Sequence, residues 1–260
     1  MSTEKRFICT ETYISLMMQN FSIHVRNISK RFGKTFALSS ISADFEPGQI
    51  TALLGPNGSG KTTFLRILSG LLDGYTGEIS VSGYSSSNYS SIIKKISGYV
   101  PDTPALYDSL TPMEMFQYIG SIRGVEEKDF RERIEKLCTS LDLDPYLERF
   151  TGDLSFGIRQ KISIVSALIH DPGILIMDES FNGLDPKSIG AVRDLLVEME
   201  KNNRTVILAT HSLEIVENLC TNMIVLKEGK VAGQSRIYER NRNLEETALL
   251  RKKYMGMTTG

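Results

Sequence analysis

The sequence predicts an α/β fold: a largely parallel sheet covered on both faces, with an all-helical segment inserted. Three observations carry that reading. Short apolar runs such as Ile174-Leu175-Ile176-Met177 alternate with amphipathic stretches in the last third of the chain. Runs this short and this apolar suit strands buried on both faces, the parallel-sheet arrangement. From about residue 111 to 169 the pattern turns helical, with Ile134, Leu137 and Leu141 recurring at three- and four-residue intervals on one helix face. Finally, 260 residues, 41% of them hydrophobic, suffice for a sizeable core without disulfides or structural metal.

Taken in order, residues 22–25, 43–45, 50–54 and 78–82 read as strands, punctuated by Gly48, Gly55, Gly77 and Gly83. Residues 62–71 read as a helix. Ser85-Ser86-Ser87, with Ser90 and Ser91 nearby, reads as a short polar loop. After the helical middle, 174–177 is a strand, 186–201 a helix, 205–209 a strand, 213–219 a helix and 223–226 a strand. The tail after Gln234 is polar, ends in Arg251-Lys252-Lys253 and reads as a solvated helix, with a docking arm for a partner as the alternative.

Composition excludes several classes. Lysine plus arginine total 30 against 31 acidic residues, so no broad basic surface for nucleic acid is indicated. No apolar stretch approaches the 18 residues of a membrane span. The three cysteines, Cys9, Cys138 and Cys220, are far apart and without metal-ligand spacing, which suits reduced thiols. Polar residues break any apolar core near the N-terminus, so no signal peptide is expected. Met17 or Met18 is an alternative start, because strand patterning begins only near Phe21.

The strand at 50–54 runs into Gly55-Pro56-Asn57-Gly58-Ser59-Gly60-Lys61-Thr62-Thr63. This fits G-x-x-x-x-G-K-[ST], the P-loop. Glycines let successive backbone N–H groups turn inward onto phosphate oxygens, and the helix that follows presents its positive end to the same anion. Lys61 is placed to reach the β- and γ-phosphates, and the Thr62 hydroxyl to ligate Mg²⁺. At the end of a second buried strand stand Asp178 and Glu179. Acids there are costly without partners. Asp178 suits a hold on Mg²⁺, and Glu179 suits a general base for an attacking water. Without the P-loop, the same pair would read as strand-end acids facing solvent.

With these motifs in order, the chain from about residue 22 to 233 resembles the ATP-binding-cassette (ABC) ATPases. Leu154-Ser155-Phe156-Gly157-Ile158 looks like the family's LSGGQ signature, Asn182-Gly183-Leu184-Asp185 like its D-loop, and Thr210-His211-Ser212 like its switch-histidine loop. Phe32 sits where the family places an aromatic ring against adenine. The resemblance implies a P-loop NTPase core with an antiparallel β-subdomain and an inserted helical subdomain over about 103–172. It divides the chain into an N-terminal extension (1–20), an ATPase domain (21–233) and a polar tail (234–260). It also implies two such domains packed head to tail on ATP and Mg²⁺. Each ATP would lie between the P-loop of one subunit and Ser155 and Gly157 of the other. His211 would hydrogen-bond the γ-phosphate, and Asp185 would contact the opposite subunit. Asp185 before Pro186 reads equally as a helix N-cap, and Phe32 equally as core.

Three departures stand out. Asp102 occupies the place of the family's glutamine, offering Mg²⁺ a shorter, negatively charged oxygen. Phe156 and Ile158 replace glycine and glutamine of the signature, and Ser180 replaces proline after Glu179. A single cassette without a span resembles the separate ATPase subunit of a transporter, working at the cytoplasmic face of the membrane on an integral membrane subunit, as a homodimer or heterodimer. Residues 106–111 resemble exporters of peptides, drugs or polysaccharide. The alternatives are a soluble ABC regulator and a nucleotide-sensing scaffold with low turnover.

Overall fold

The computed structural model describes residues 20–85, 89–237, 251–252 and 254–256. The alternative start, nearly all of the N-terminal extension and most of the polar tail lie outside the described residues.

Two sheets carry the fold. One is antiparallel, built of β1 (Ile23–Phe32), β2 (Thr35–Phe45), β4 (Thr76–Val81) and β5 (Tyr84–Ser85) in the order β2-β1-β4-β5. The other contains β3 (Gln49–Leu54), β6 (Ser97–Val100), β7 (Ile174–Asp178), β8 (Thr205–Ala209), β9 (Asn222–Lys227) and β10 (Lys230–Arg236), in the order β10-β9-β3-β8-β7-β6. All its pairings are parallel except β9 with β10. Side chains along its central strands alternate between two cores. Ile174, Ile176 and Ile207 join the core shared with the antiparallel sheet and α1 (Lys61–Leu68). Leu175, Met177, Val206 and Leu208 join the core under the other helices. This double burial is why those strands read as unbroken apolar runs.

Between β6 and β7 the chain forms α3 (Pro112–Arg123), α4 (Glu127–Ser140) and α5 (Phe156–Leu168), with short 3₁₀ turns before α5. Thr111 and Glu114 close a capping box at the start of α3, and Gly124 ends it at φ 67°. The remaining helices are α2 (Tyr89–Ile96), α6 (Pro186–Lys201) and α7 (Leu213–Leu219).

Local departures from the sequence expectation have physical causes. The first strand runs on to Phe32, past a register shift beyond Val25 where Asn27 takes φ 54°. Such a bulge breaks the alternation on which strand reading depends. Ser90 and Ser91 belong to α2 rather than to a loop; that helix is anchored where the buried Tyr89 hydroxyl donates to the Leu68 carbonyl at 2.5 Å. β6 and β10 carry weak signals: β6 is short and holds Ser97 and Gly98, and β10 is a polar edge strand. The strand β10 also carries regular structure to Arg236, beyond the start of the expected tail.

Candidate functional site: a phosphate cradle facing two carboxylates

β3 is buried along nearly its whole length and delivers the chain into the Gly55–Thr63 loop. Gly60 caps α1 at φ 102°, and a Cβ there would lie 2.7 Å from both the Ala37 carbonyl oxygen and Leu38 Cδ2. Only glycine fits a turn that is both left-handed and this close to neighbouring backbone. No side chain caps α1, so its first N–H groups remain directed at the cleft in front of them, the arrangement that favours an anion.

That cleft, of about 290 Å³, is lined by residues 57–63, Ala37, Asp102 and Glu179. Lys61 is nearly buried and folds over the loop, donating from Nζ to the carbonyls of Gly55 at 2.8 Å and Pro56 at 3.3 Å. Its ammonium also lies 3.7 Å from Glu179 Oε1. The second carboxylate oxygen, Glu179 Oε2, is 2.8 Å from His211 Nδ1. Glu179 adopts φ 47°, an uncommon conformation for its type, and its N–H donates to Ala209 of the neighbouring strand. Strain of this kind concentrates at working sites. β7 and β8 end side by side, Asp178 opposite Ala209, which brings Glu179 and His211 together across 32 residues of sequence.

Asp178 is wholly buried, and among the described residues neither of its carboxylate oxygens has a hydrogen-bond partner. Burial raises its carboxyl above the ordinary aspartate value, the nearby charges of Asp102 and Glu179 push the same way, and Thr62 and Lys61 draw it down. The Thr62 hydroxyl is close enough to act on Asp178 yet falls short of ordinary hydrogen-bond geometry. An orphaned buried carboxylate beside a hydroxyl and a second acid is the hard-oxygen donor set that Mg²⁺ takes, with its other positions left to water and phosphate. The residues therefore fit the metal.

Other sequence-predicted residues stand elsewhere. Ser155 caps α5, its Oγ accepting from Ile158 N–H at 3.4 Å, and Gly157 follows on the first turn. Neither lines the cleft of its own chain. Instead the α5 start packs on the 180–185 loop: a Cβ on Gly157 would be 2.5 Å from the Gly183 carbonyl oxygen, and the Phe156 ring covers Gly183. Asp185 caps α6, accepting from Ser188 N–H at 2.9 Å and Ser188 Oγ at 2.7 Å, with Lys161 Nζ at 3.2 Å. Those bonds hold its carboxyl far below the usual range, the Ser188 hydroxyl contributing most. Phe32 is half-exposed at the end of β1, outside the cleft lining.

Sequence reasoning missed two contributors. Ala37 walls the cleft from β2, with no chemical signal to mark it. Ser180, seen only as a departure, donates its hydroxyl toward the Val100 and Asp178 carbonyls at 3.2 and 3.1 Å, tying the end of β7 to that of β6. Asp102 lies two residues beyond that tie.

Comparison with known proteins agrees with this geometry. The model of the ABC transporter family matches residues 38–182. An uncharacterized ABC transporter ATP-binding protein of Methanocaldococcus jannaschii is 35% identical over 83% of this chain and 78% of its own. The Nod factor export ATP-binding protein I of Cupriavidus metallidurans is 31% identical over 84% of this chain and 72% of its own. Among solved structures, an ATP-binding subunit of an ABC transporter superposes with a TM-score of 0.80 at 28% identity, covering 88% of this chain and 99% of that one.

Proposed function

Because the chain belongs to the ABC transporter family as an ATP-binding subunit and ATPase, we propose that the cleft between the Gly55–Thr63 loop and Glu179 is its site of ATP hydrolysis. One observation carries the proposal: a single carboxylate, Glu179, bridges Lys61 inside the cleft and His211 at its edge. Loop N–H groups and the Lys61 ammonium would take the β- and γ-phosphates. Thr62, Asp178 and Asp102 would hold Mg²⁺, which when bound supplies charge neutralisation for the phosphates. Glu179 would accept the proton of a water attacking the γ-phosphorus while the bond to the β-bridging oxygen breaks and ADP departs. His211, held by Glu179 through Nδ1, would direct Nε2 at the γ-phosphate.

Ser155 and Gly157 lie off their own chain's cleft, which supports a shared site in which they meet the ATP of a second subunit, identical or related. Asp185 would border the same seam. The membrane partner would dock on a cleft of about 520 Å³ beside β6, lined by Leu71, Leu106, Met115, Ile119 and Ile122 with Arg66 and Arg123. No described helix is long and apolar enough to cross a membrane; the likeness to transporter ATP-binding proteins supports a peripheral place at the cytoplasmic face, through the membrane partner. Export is the direction we favour, because residues 106–111 resemble exporters and one relative is named for export.

Glu179→Gln tests the assignment. Phosphate release should fall at least ~100-fold, the usual contribution of a general base, while ATP still binds and an ATP-bound dimer accumulates on size exclusion. Unchanged turnover rejects the base, and a persistent monomer rejects the shared site. A low-turnover sensor is the second reading, favoured by the extra negative charge of Asp102 beside Asp178. Slow wild-type turnover that no membrane extract accelerates would select it.

A further inference from the structure

Lys30 precedes Phe32 by two residues on β1, so both side chains leave the same face of the strand. Lys30 is only 8% exposed, and among the described residues no carboxylate lies within ion-pair distance of it. A buried ammonium needs compensation from elsewhere. Two backbone carbonyls supply it: Nζ donates to Asp73 O at 2.6 Å and to Gly74 O at 3.0 Å. The Phe32 ring adds the third contact, its centre 5.1 Å from Nζ. Gly74, at φ 70°, turns the chain closely under this ammonium; a Cβ there would come within 3.2 Å of Nζ.

The 73–74 turn follows α1, the helix that opens at Lys61. One ammonium thus ties the strand bearing an exposed aromatic ring to the segment leaving the phosphate cradle. The Phe32 ring is 52% exposed, so it meets Lys30 on one side and solvent on the other.

We propose that Lys30 is a positioning residue for the nucleotide base, fixing the Phe32 ring at a set separation from the phosphate cradle and loading its inner face with positive charge. The inference rests on the reading of Phe32 as the base platform. A cation held against one face of a ring draws on its π-electrons and leaves the opposite face better suited to an electron-rich purine. Lys30 itself touches neither base nor phosphate. Its effect falls on the base half of the ligand alone, and that separates it from a general structural role.

The test compares ATP with tripolyphosphate, which carries phosphates and no base. Dissociation constants for ATP are measured by calorimetry, and tripolyphosphate is scored by its inhibition constant against ATP hydrolysis. Lys30→Met should weaken ATP about 5-fold, the size of one lost cation–ring contact and its anchoring, and leave the tripolyphosphate constant unchanged. Lys30→Arg, which can still donate to both carbonyls and lie on the ring, should restore most of the loss. Phe32→Ala should weaken ATP at least as much, again sparing tripolyphosphate. If Phe32→Ala leaves ATP affinity intact, the platform reading falls and the inference with it. If Phe32→Ala weakens ATP but Lys30→Met does not, only the inference falls. Equal loss of both ligands in Lys30→Met overturns it too, since the effect would then be structural.

Discussion

Glu179 Oε2 lies 2.8 Å from His211 Nδ1, while its Oε1 faces Lys61 Nζ at 3.7 Å. A carboxylate accepts from a ring N–H at Nδ1, and Nε2 donates to a γ-phosphate oxygen only when it too carries a proton, so a contact on both sides requires the imidazolium form of His211. The histidine side chain is 64% exposed, whereas Glu179 is 16% exposed. The less exposed acid therefore orients the more exposed ring. His211→Ala should reduce turnover about 100-fold, as expected for loss of one preorganised contact to the transferring phosphoryl group, with ATP affinity nearly unchanged. Steady-state phosphate release, paired with equilibrium ATP binding, checks this. A variant that turns over like wild type removes His211 from the mechanism.

Asp102 contributes a second charge to the surroundings of Asp178, raising that carboxyl further. If its oxygens help hold Mg²⁺, exchanging the charge for a neutral amide should weaken the metal. Asp102→Gln is expected to raise the Mg²⁺ concentration giving half-maximal hydrolysis about 5-fold, corresponding to ~1 kcal/mol for one solvent-screened charge contact. Titrating Mg²⁺ at saturating ATP measures it. An unmoved midpoint, with unchanged stimulation by membranes, would make the residue incidental.

Legibility followed the locality of the signals. The bounds of α6 and α7 follow from their caps: Asp185 before Pro186, and Ser212, whose Oγ accepts from Ile215 N–H. β8 was readable because both faces are buried and every residue is apolar or small. The Gly55–Thr63 loop and the Asp178-Glu179 pair announced themselves as contiguous motifs. By contrast, the contact of Glu179 with His211 comes from strand order, which sequence spacing does not encode. Nor could sequence show that Ser180 ties β7 to β6, or that Phe156 covers Gly183; both depend on which loops the sheet brings side by side.

Gly157 and Gly190 make a matched pair for testing the start of α5. At Gly157 a Cβ would meet the Gly183 carbonyl oxygen at 2.5 Å, backbone against backbone, with no flexible atom to yield. Gly157→Ala should cost about 1–3 kcal/mol of stability, the range for overpacking, and should abolish the ATP-dependent dimer by displacing the 180–185 loop. Gly190 lies inside α6, at a position where a Cβ meets nothing within 4 Å. Gly190→Ala should instead stabilise by about 0.5–1 kcal/mol through helix propensity. Urea denaturation of both variants decides the matter. Equal effects of the same sign would contradict the close approach at Gly157.

His170 gives the protein an acid-sensitive element remote from the nucleotide cleft. Burial, reinforced by Arg123, depresses its imidazole from an ordinary 6.5 to about 4, while its contact with the Ser97 carbonyl and the charge of Asp171 oppose the shift. Nε2 lies 3.0 Å from Ser97 O, so the proton resides there; Nδ1 is buried and, among the described residues, without a partner. A depressed value means that the folded state holds the ring neutral. The resulting stability is fully present above the unfolded value near 6.5 and drains away as pH falls toward 4, because only the unfolded chain takes up the proton in that window. The full loss amounts to about 3 kcal/mol. Glutamine can still donate an amide hydrogen to Ser97 O but does not titrate. The difference in unfolding free energy between wild type and His170→Gln should therefore narrow or reverse in favour of the variant between pH 7 and pH 4.5. Taking the difference cancels the carboxylates that both proteins share. Parallel stability profiles across that window would show that His170 titrates alike in the folded and unfolded states.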